Sequence, residues 1–178
     1  IVILLLAWSL SSVIKELGTS RYLVDMLSQN TPKFLLPVAI FVLGSFISFS
    51  TGTSYGTMGI LMPLAIPLAN AVGLHYGLSG DALHAYMIVN ISGVLTGAIF
   101  GDHCSPISDT TILSSMGAGC DHIEHVKTQM PYALSVGAVA TVVGYLPVAL
   151  GLSVWIALPM GLAVTWALVR FAGKKIEE

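Results

Sequence analysis

Charge is scarce in this chain. Asp, Glu, Lys and Arg make up 9% of its 178 residues, against roughly 25% in an ordinary soluble domain. A soluble globule of this size could not cover its surface with so few charges. The 7 basic and 9 acidic residues leave a net charge of -2, so there is no basic field for nucleic acid. Cysteine is nearly absent: Cys104 and Cys120 cannot make a disulfide framework. No initiator Met and no charged leader precede the apolar run at Ile1, which reads as a truncated start rather than a signal peptide. What the chain has in abundance is apolar surface, with 55% hydrophobic residues and a mean hydropathy of +0.87. Disorder is excluded on the same ground. The composition predicts an all-α polytopic membrane protein, with residues 1–178 forming one transmembrane domain of a longer protein.

About five hydrophobic segments follow from the pattern. The first, 1–13, is too short to cross alone, because a span takes roughly 20 apolar residues. Residues 15–33 mix Lys15, Glu16, Arg21, Asp25 and Lys33 with Tyr22 and Leu23, as an interfacial helix would. The second segment, 34–72, would be about 58 Å long as one helix at 1.5 Å per residue. The hydroxyl-rich run from Ser50 to Thr57 interrupts it, making either a broken span or a re-entrant hairpin. The third, 85–116, is interrupted at Gly101-Asp102-His103-Cys104-Ser105-Pro106. Ser105 as N-cap and Pro106 as first helical residue predict a new helix there. Residues 117–129 read as a polar loop, followed by segments 132–150 and 152–171 and a polar tail at 174–178. Gly137, Ala138, Gly144, Gly151, Gly161 and Ala163 are expected to let helices pack closely. If each segment crosses once, the basic residues of 15–33, Lys127 and the tail fall on one side, the cytoplasmic one.

The two breaks carry the chemistry. Backbone that leaves the helix at membrane depth must be satisfied inside protein or line a watery cavity. Paired broken segments point to a transporter binding site, where freed carbonyls and hydroxyls coordinate a cation. Asp102 and Asp109 stand beside the second break, and a carboxylate at the membrane centre costs roughly 2.5–3.5 kcal/mol unless an ion, proton or partner compensates it. Either acid could hold Na+ or a proton in turn, or instead serve the helix ends. His103 could tune Asp102. Asn90, in the apolar half of segment three, either reaches the cavity or joins two helices. Cys120, His122 and His125 lie close in sequence, but a zinc site needs four well-spaced ligands, and a solvated loop is the favoured reading. No resident metal or cofactor is expected.

The run Gly101-Asp102-His103-Cys104-Ser105-Pro106-Ile107-Ser108-Asp109-Thr110-Thr111-Ile112-Leu113-Ser114-Ser115 resembles the signature of the NhaC-type Na+/H+ antiporter family. His125-Val126-Lys127-Thr128-Gln129-Met130-Pro131-Tyr132 and Thr51-Gly52-Thr53-Ser54-Tyr55-Gly56-Thr57 are similar to the same family. The resemblance implies an inner-membrane secondary transporter with two inverted repeats. This chain would supply one repeat, in the C-terminal half, and a missing N-terminal repeat would be its partner, with a homodimer left open. Its implied cargo is Na+ and H+, or alternatively an organic acid such as malate or lactate, or an amino acid. The implied site lining is Thr51, Thr53, Ser54, Asp102, Ser105, Ser108, Asp109, Thr110 and Thr111. A membrane metalloenzyme and a purely structural subunit are the competing classes.

Overall fold

A computed structural model describes residues 32–173 continuously and a scatter of residues before them. The apolar segment 1–13, the interfacial helix at 15–33 and the tail at 174–178 lie largely outside the described residues. Everything described is helix or short connection. Four helices are long and apolar enough to cross a membrane, and a fifth apolar helix is shorter. The polytopic all-α class is therefore correct.

Helix α1 covers Leu35–Thr51, α2 Ser54–His75 and α3 Gly80–Cys104. At 1.5 Å per residue they are about 25, 33 and 37 Å long. Segment two is a helical hairpin, not a broken span: Gly44 of α1 sits beside Leu61 of α2, while Gly73 at the far end of α2 meets Leu83 of α3. The turn is built by two residues. Gly52 ends α1 in the left-handed region, φ 66°, and its N–H donates to the Ser48 carbonyl. Thr53 then caps α2, its Oγ1 accepting from the Gly56 N–H at 3.3 Å. Gly52 is needed twice over, because a Cβ there would also lie 2.9 Å from the Ile107 carbonyl oxygen. Gly52→Ala is expected to cost about 2 kcal/mol, from the left-handed backbone and the contact together. Thermal unfolding of the purified full-length variant checks this.

Helix α3 runs parallel to α1. Tyr86 donates to the Lys33 carbonyl at one end (2.9 Å), and Ser105 donates to the Phe49 carbonyl at the other (2.7 Å). Between them, Gly93, Gly97 and Gly101 present bare backbone to Pro37, Phe41 and Ser45. The core of the three helices is Leu36, Ile40, Leu61, Leu68, Val72, Tyr86 and Val94. Asn90 lies in the middle of α3, fully buried, and its amide donates to the Tyr86 carbonyl at 2.8 Å. It is about 18 Å along the helix from Asp102 at 1.5 Å per residue.

Short α4, Asp109–Ala118, follows the second break, and α5, His122–Val139, turns back along α3. Gln129 donates to the His103 carbonyl, Gly137 packs on the Phe100 ring, and Tyr145 reaches Thr96. The polar loop expected at 117–129 is mostly helix: Asp121 caps α5 from its side chain, 3.0 Å from the Glu124 N–H. The only loop left is the turn at Gly119, Cys120 and Asp121. Before Pro147, which supplies no N–H, the ladder widens into a π turn over Ala140–Tyr145, then closes as α6, Leu146–Ala149. Helix α7, Val154–Ala172, completes an antiparallel pair with it. Gly137 makes the close contact expected of it, whereas a Cβ added at Gly144, Gly151 or Gly161 would meet no packing neighbour within 4 Å among the described residues. Gly144 and Gly161 instead line an apolar cavity of about 590 Å³ between α3, α5 and α7.

The hairpin also changes the charge pattern. Lys33 lies at the Tyr86 end of the bundle, whereas Lys127 and, by the connectivity of α7, Arg170 lie at the opposite end. The one-sided arrangement expected from a single crossing of segment two therefore fails among the described residues.

Candidate functional site

The two breaks meet. The tip of the α1–α2 hairpin packs onto the link 105–108, through Gly52 against Ile107 and Phe49 against Ser105. The helix after the link starts later than Ser105-Pro106 predicts. Its N-cap is Ser108, whose Oγ accepts from the Thr110 N–H at 3.3 Å. Ser105 has other work: its hydroxyl donates to Phe49 and accepts from the Ile107 N–H at 3.3 Å.

Asp102 faces this link from the last turn of α3 and is 8% exposed. Its Oδ1 accepts from Ser108 Oγ at 2.9 Å, and its Oδ2 lies 3.5 Å from Thr110 Oγ1. The two hydroxyls are 2.8 Å apart. The carboxylate thus ties the end of α3 to the start of α4. Among the described residues the one ion pair is Lys127–Glu124, so no basic group balances Asp102. Ser48, Thr57, Ser105, Ser108, Thr111 and Ser115 are all buried around the same end of the bundle. Thr111 Oγ1 lies 3.4 Å from the His103 carbonyl.

The other sequence-predicted residues separate by exposure. Asp109 opens α4 on its exposed side, with no side-chain hydrogen bond among the described residues. Thr110 and His103 are exposed beside it. Thr51 is exposed and bonds back to the Ile47 carbonyl, and Ser54 is half-buried on the first turn of α2. Asn90 is buried too far along α3 to touch Asp102. Its Oδ1 has no hydrogen-bond partner among the described residues.

Two features escaped the sequence reading. The Gly93, Gly97, Gly101 spacing is a small-residue stripe at i, i+4, i+8, legible in principle. His122 and His125 are not in a loop: both lie on the first turn of α5 with Nδ1 toward Ser115 Oγ, at 3.1 and 2.7 Å. Among the described residues no group of three or more His, Cys, Asp and Glu converges as a metal site.

The model of the Na+/H+ antiporter family matches residues 1–150, which takes in both breaks, α4 and α5. The chain belongs to that family. An uncharacterized protein of Haemophilus influenzae is 47% identical to this family member over 83% of the chain and 26% of its own length. An uncharacterized Na+/H+ antiporter of the same organism is 35% identical over 54% of the chain and 18% of its own length. The malate-2H+/Na+-lactate antiporter of Bacillus subtilis is 32% identical over 64% of the chain and 22% of its own length. The chain thus spans about a quarter of the length of these antiporter-family relatives or less. No solved structure matches it significantly.

Proposed function

We propose that this chain is part of a secondary transporter that exchanges Na+ for H+, with Asp102 as the shared site. One observation carries the reading: among the described residues, a buried carboxylate at the end of a membrane-length helix has only hydroxyl partners. An unpaired carboxylate removed from water is costly, so it takes up a proton or a cation. Hydroxyl and carboxylate oxygens suit a hard cation. The proton and the cation compete for the same carboxylate oxygens, so binding one displaces the other. Ser108 and Thr110 supply the neighbouring oxygens, and Asp109 and Thr51 line the exposed approach. The rest of the protein, about three-quarters of the length of the relatives, is where the second wall of the site and the moving partner reside. Alternating access would move that part against this one.

A second reading rests on the relative named for malate, lactate, Na+ and H+. In it the same break couples Na+ or protons to a small organic acid. Everted vesicles carrying the full-length protein and a pH-sensitive dye decide between them. With a proton gradient imposed, Na+ or Li+ is expected to dissipate it and K+ is not. A gradient untouched by every cation, but dissipated on adding malate or lactate with Na+, would transfer the assignment to the second reading.

A further inference from the structure

Ser115 is 1% exposed and has three hydrogen-bond neighbours. They are the Thr111 carbonyl at 2.8 Å, His122 Nδ1 at 3.1 Å and His125 Nδ1 at 2.7 Å. On its other side, His122 places Nε2 2.6 Å from the Pro106 carbonyl. A carbonyl only accepts, so that Nε2 carries a proton in every state. A serine hydroxyl donates once and accepts twice. If it donates to Thr111, both imidazoles must donate to it through Nδ1–H. His122 then carries a proton on both nitrogens. If His122 is neutral, its Nδ1 can only accept, and Ser115 must turn from Thr111 to satisfy it. The full set of contacts therefore exists only with one added proton on His122.

We propose that Ser115, His122 and His125 form a second proton-binding site that fastens the link 105–108 through the Pro106 carbonyl. The link is what holds Ser108 against Asp102, two residues beyond Pro106. For its consequence in transport this inference rests on the Asp102 reading above: acidification would set the hydroxyls that surround the carboxylate. The other charged and titratable groups nearby are engaged or turned away. Glu124 is held by Lys127 at 2.7 Å on the exposed face of α5. Asp121 caps the same helix, and Cys120 Sγ lies 3.7 Å from the Ser115 carbonyl. From α3, His103 contributes its backbone carbonyl to Gln129. Asp109 is at the opposite end of α4, and Asp102 lies behind Ser108. Among the described residues no carboxylate reaches either imidazole.

The test uses full-length protein in lipid nanodiscs with 15N-labelled histidine. Ring-nitrogen shifts of His122 are followed from alkaline to acid pH, with amide exchange of Ile107 and Ser108 measured alongside and corrected for intrinsic rates. Nε2 is expected to stay protonated throughout, and Nδ1 to gain a proton on acidification. As it does, protection of the two amides should rise about tenfold, because a charge-assisted hydrogen bond is roughly twice as strong as a neutral one. In His122→Gln, which can donate but cannot titrate, protection should be flat. In Ser115→Ala the pH at which Nδ1 protonates should move. A lone pair on His122 Nε2, or protection in the wild type as flat as in His122→Gln, overturns the proposal. Should His122→Gln fail to fold, the wild-type titration and Ser115→Ala still decide. None of these readouts involves transport, so this site can fail while Asp102 exchange stands, and the reverse.

Discussion

Asp102→Asn in the full-length protein is expected to abolish Na+-driven proton movement in the vesicle assay, a loss of at least about hundredfold. Asparagine keeps the shape and accepts from Ser108, so the tie between α3 and α4 at 2.9 Å is largely preserved. What disappears is the charge. At an effective dielectric near 20, a unit charge about 2.4 Å from Na+ contributes about 7 kcal/mol of attraction. Hydration lost by the ion offsets part of this, but about 2.7 kcal/mol is already a hundredfold change. The amide also cannot carry the proton. Asp109→Asn is expected to weaken exchange by less than about tenfold, because Asp109 is exposed at the helix start, where a terminal charge contributes about 0.3–1 kcal/mol. If Asp109→Asn stops exchange and Asp102→Asn does not, the roles are reversed and Asp102 is left as the tie between α3 and α4. Ser108→Ala separates the two functions further. It removes the hydroxyl donor but not the charge, so it should alter the apparent affinity for Na+ more than the maximal rate.

The class of fold and the location of the two breaks were legible in the sequence. A span needs a long apolar run, and the interruptions at 50–57 and 101–106 violate that pattern with Gly, Ser, Thr and Asp. What the sequence could not show is how the breaks meet. A hairpin at Gly52 and a broken span share the same pattern, and the choice depends on where bare glycine backbone on α3 accepts α1. The helix after the second break starts three residues later than the local capping chemistry predicts. Ser105-Pro106 has good capping chemistry, but Ser105 spends its hydroxyl on Phe49 of another helix, which no local rule detects. The same limit hid His122 and His125. The run at 117–129 is polar enough to read as a loop, yet Asp121 caps a helix there and its polar face packs on α4. Polar composition marks exposure in a soluble protein, whereas here two of the polar residues, His122 and His125, turn inward onto Ser115 of α4.

Gly101→Ala is expected to cost at least about 3 kcal/mol of stability, at the top of the range for overpacking a core. A Cβ on Gly101 would be driven into the Ser45 carbonyl oxygen and come 2.8 Å from the Phe49 nitrogen, both of them backbone. Backbone cannot swing aside as a side chain can, so α1 must move as a body away from α3. A Cβ on Gly97 would meet the same backbone at Phe41, and one on Gly93 would lie 3.0 Å from the Pro37 carbonyl oxygen, so one added methyl acts against a contact repeated along the helix. The shift also reaches the site. Ser48 donates to the Ala98 carbonyl at 2.6 Å and Ser105 to the Phe49 carbonyl at 2.7 Å, and both bridges join the same two helices. Separating them frees the link 105–108 from the hairpin tip and loosens Ser108 around Asp102. Gly101→Ala should therefore lower both melting temperature and exchange rate, although it touches no ion ligand. Gly144→Ala and Gly161→Ala are the controls. Each adds the same methyl facing the apolar cavity, with nothing within 4 Å, and each replaces a helical glycine with a better helix former. Their stability is expected to hold or rise by up to about 1 kcal/mol. Equal losses at Gly101 and Gly144 would mean that the α1–α3 contact is no closer than the rest of the bundle, and that the glycine stripe does not set the geometry of the break.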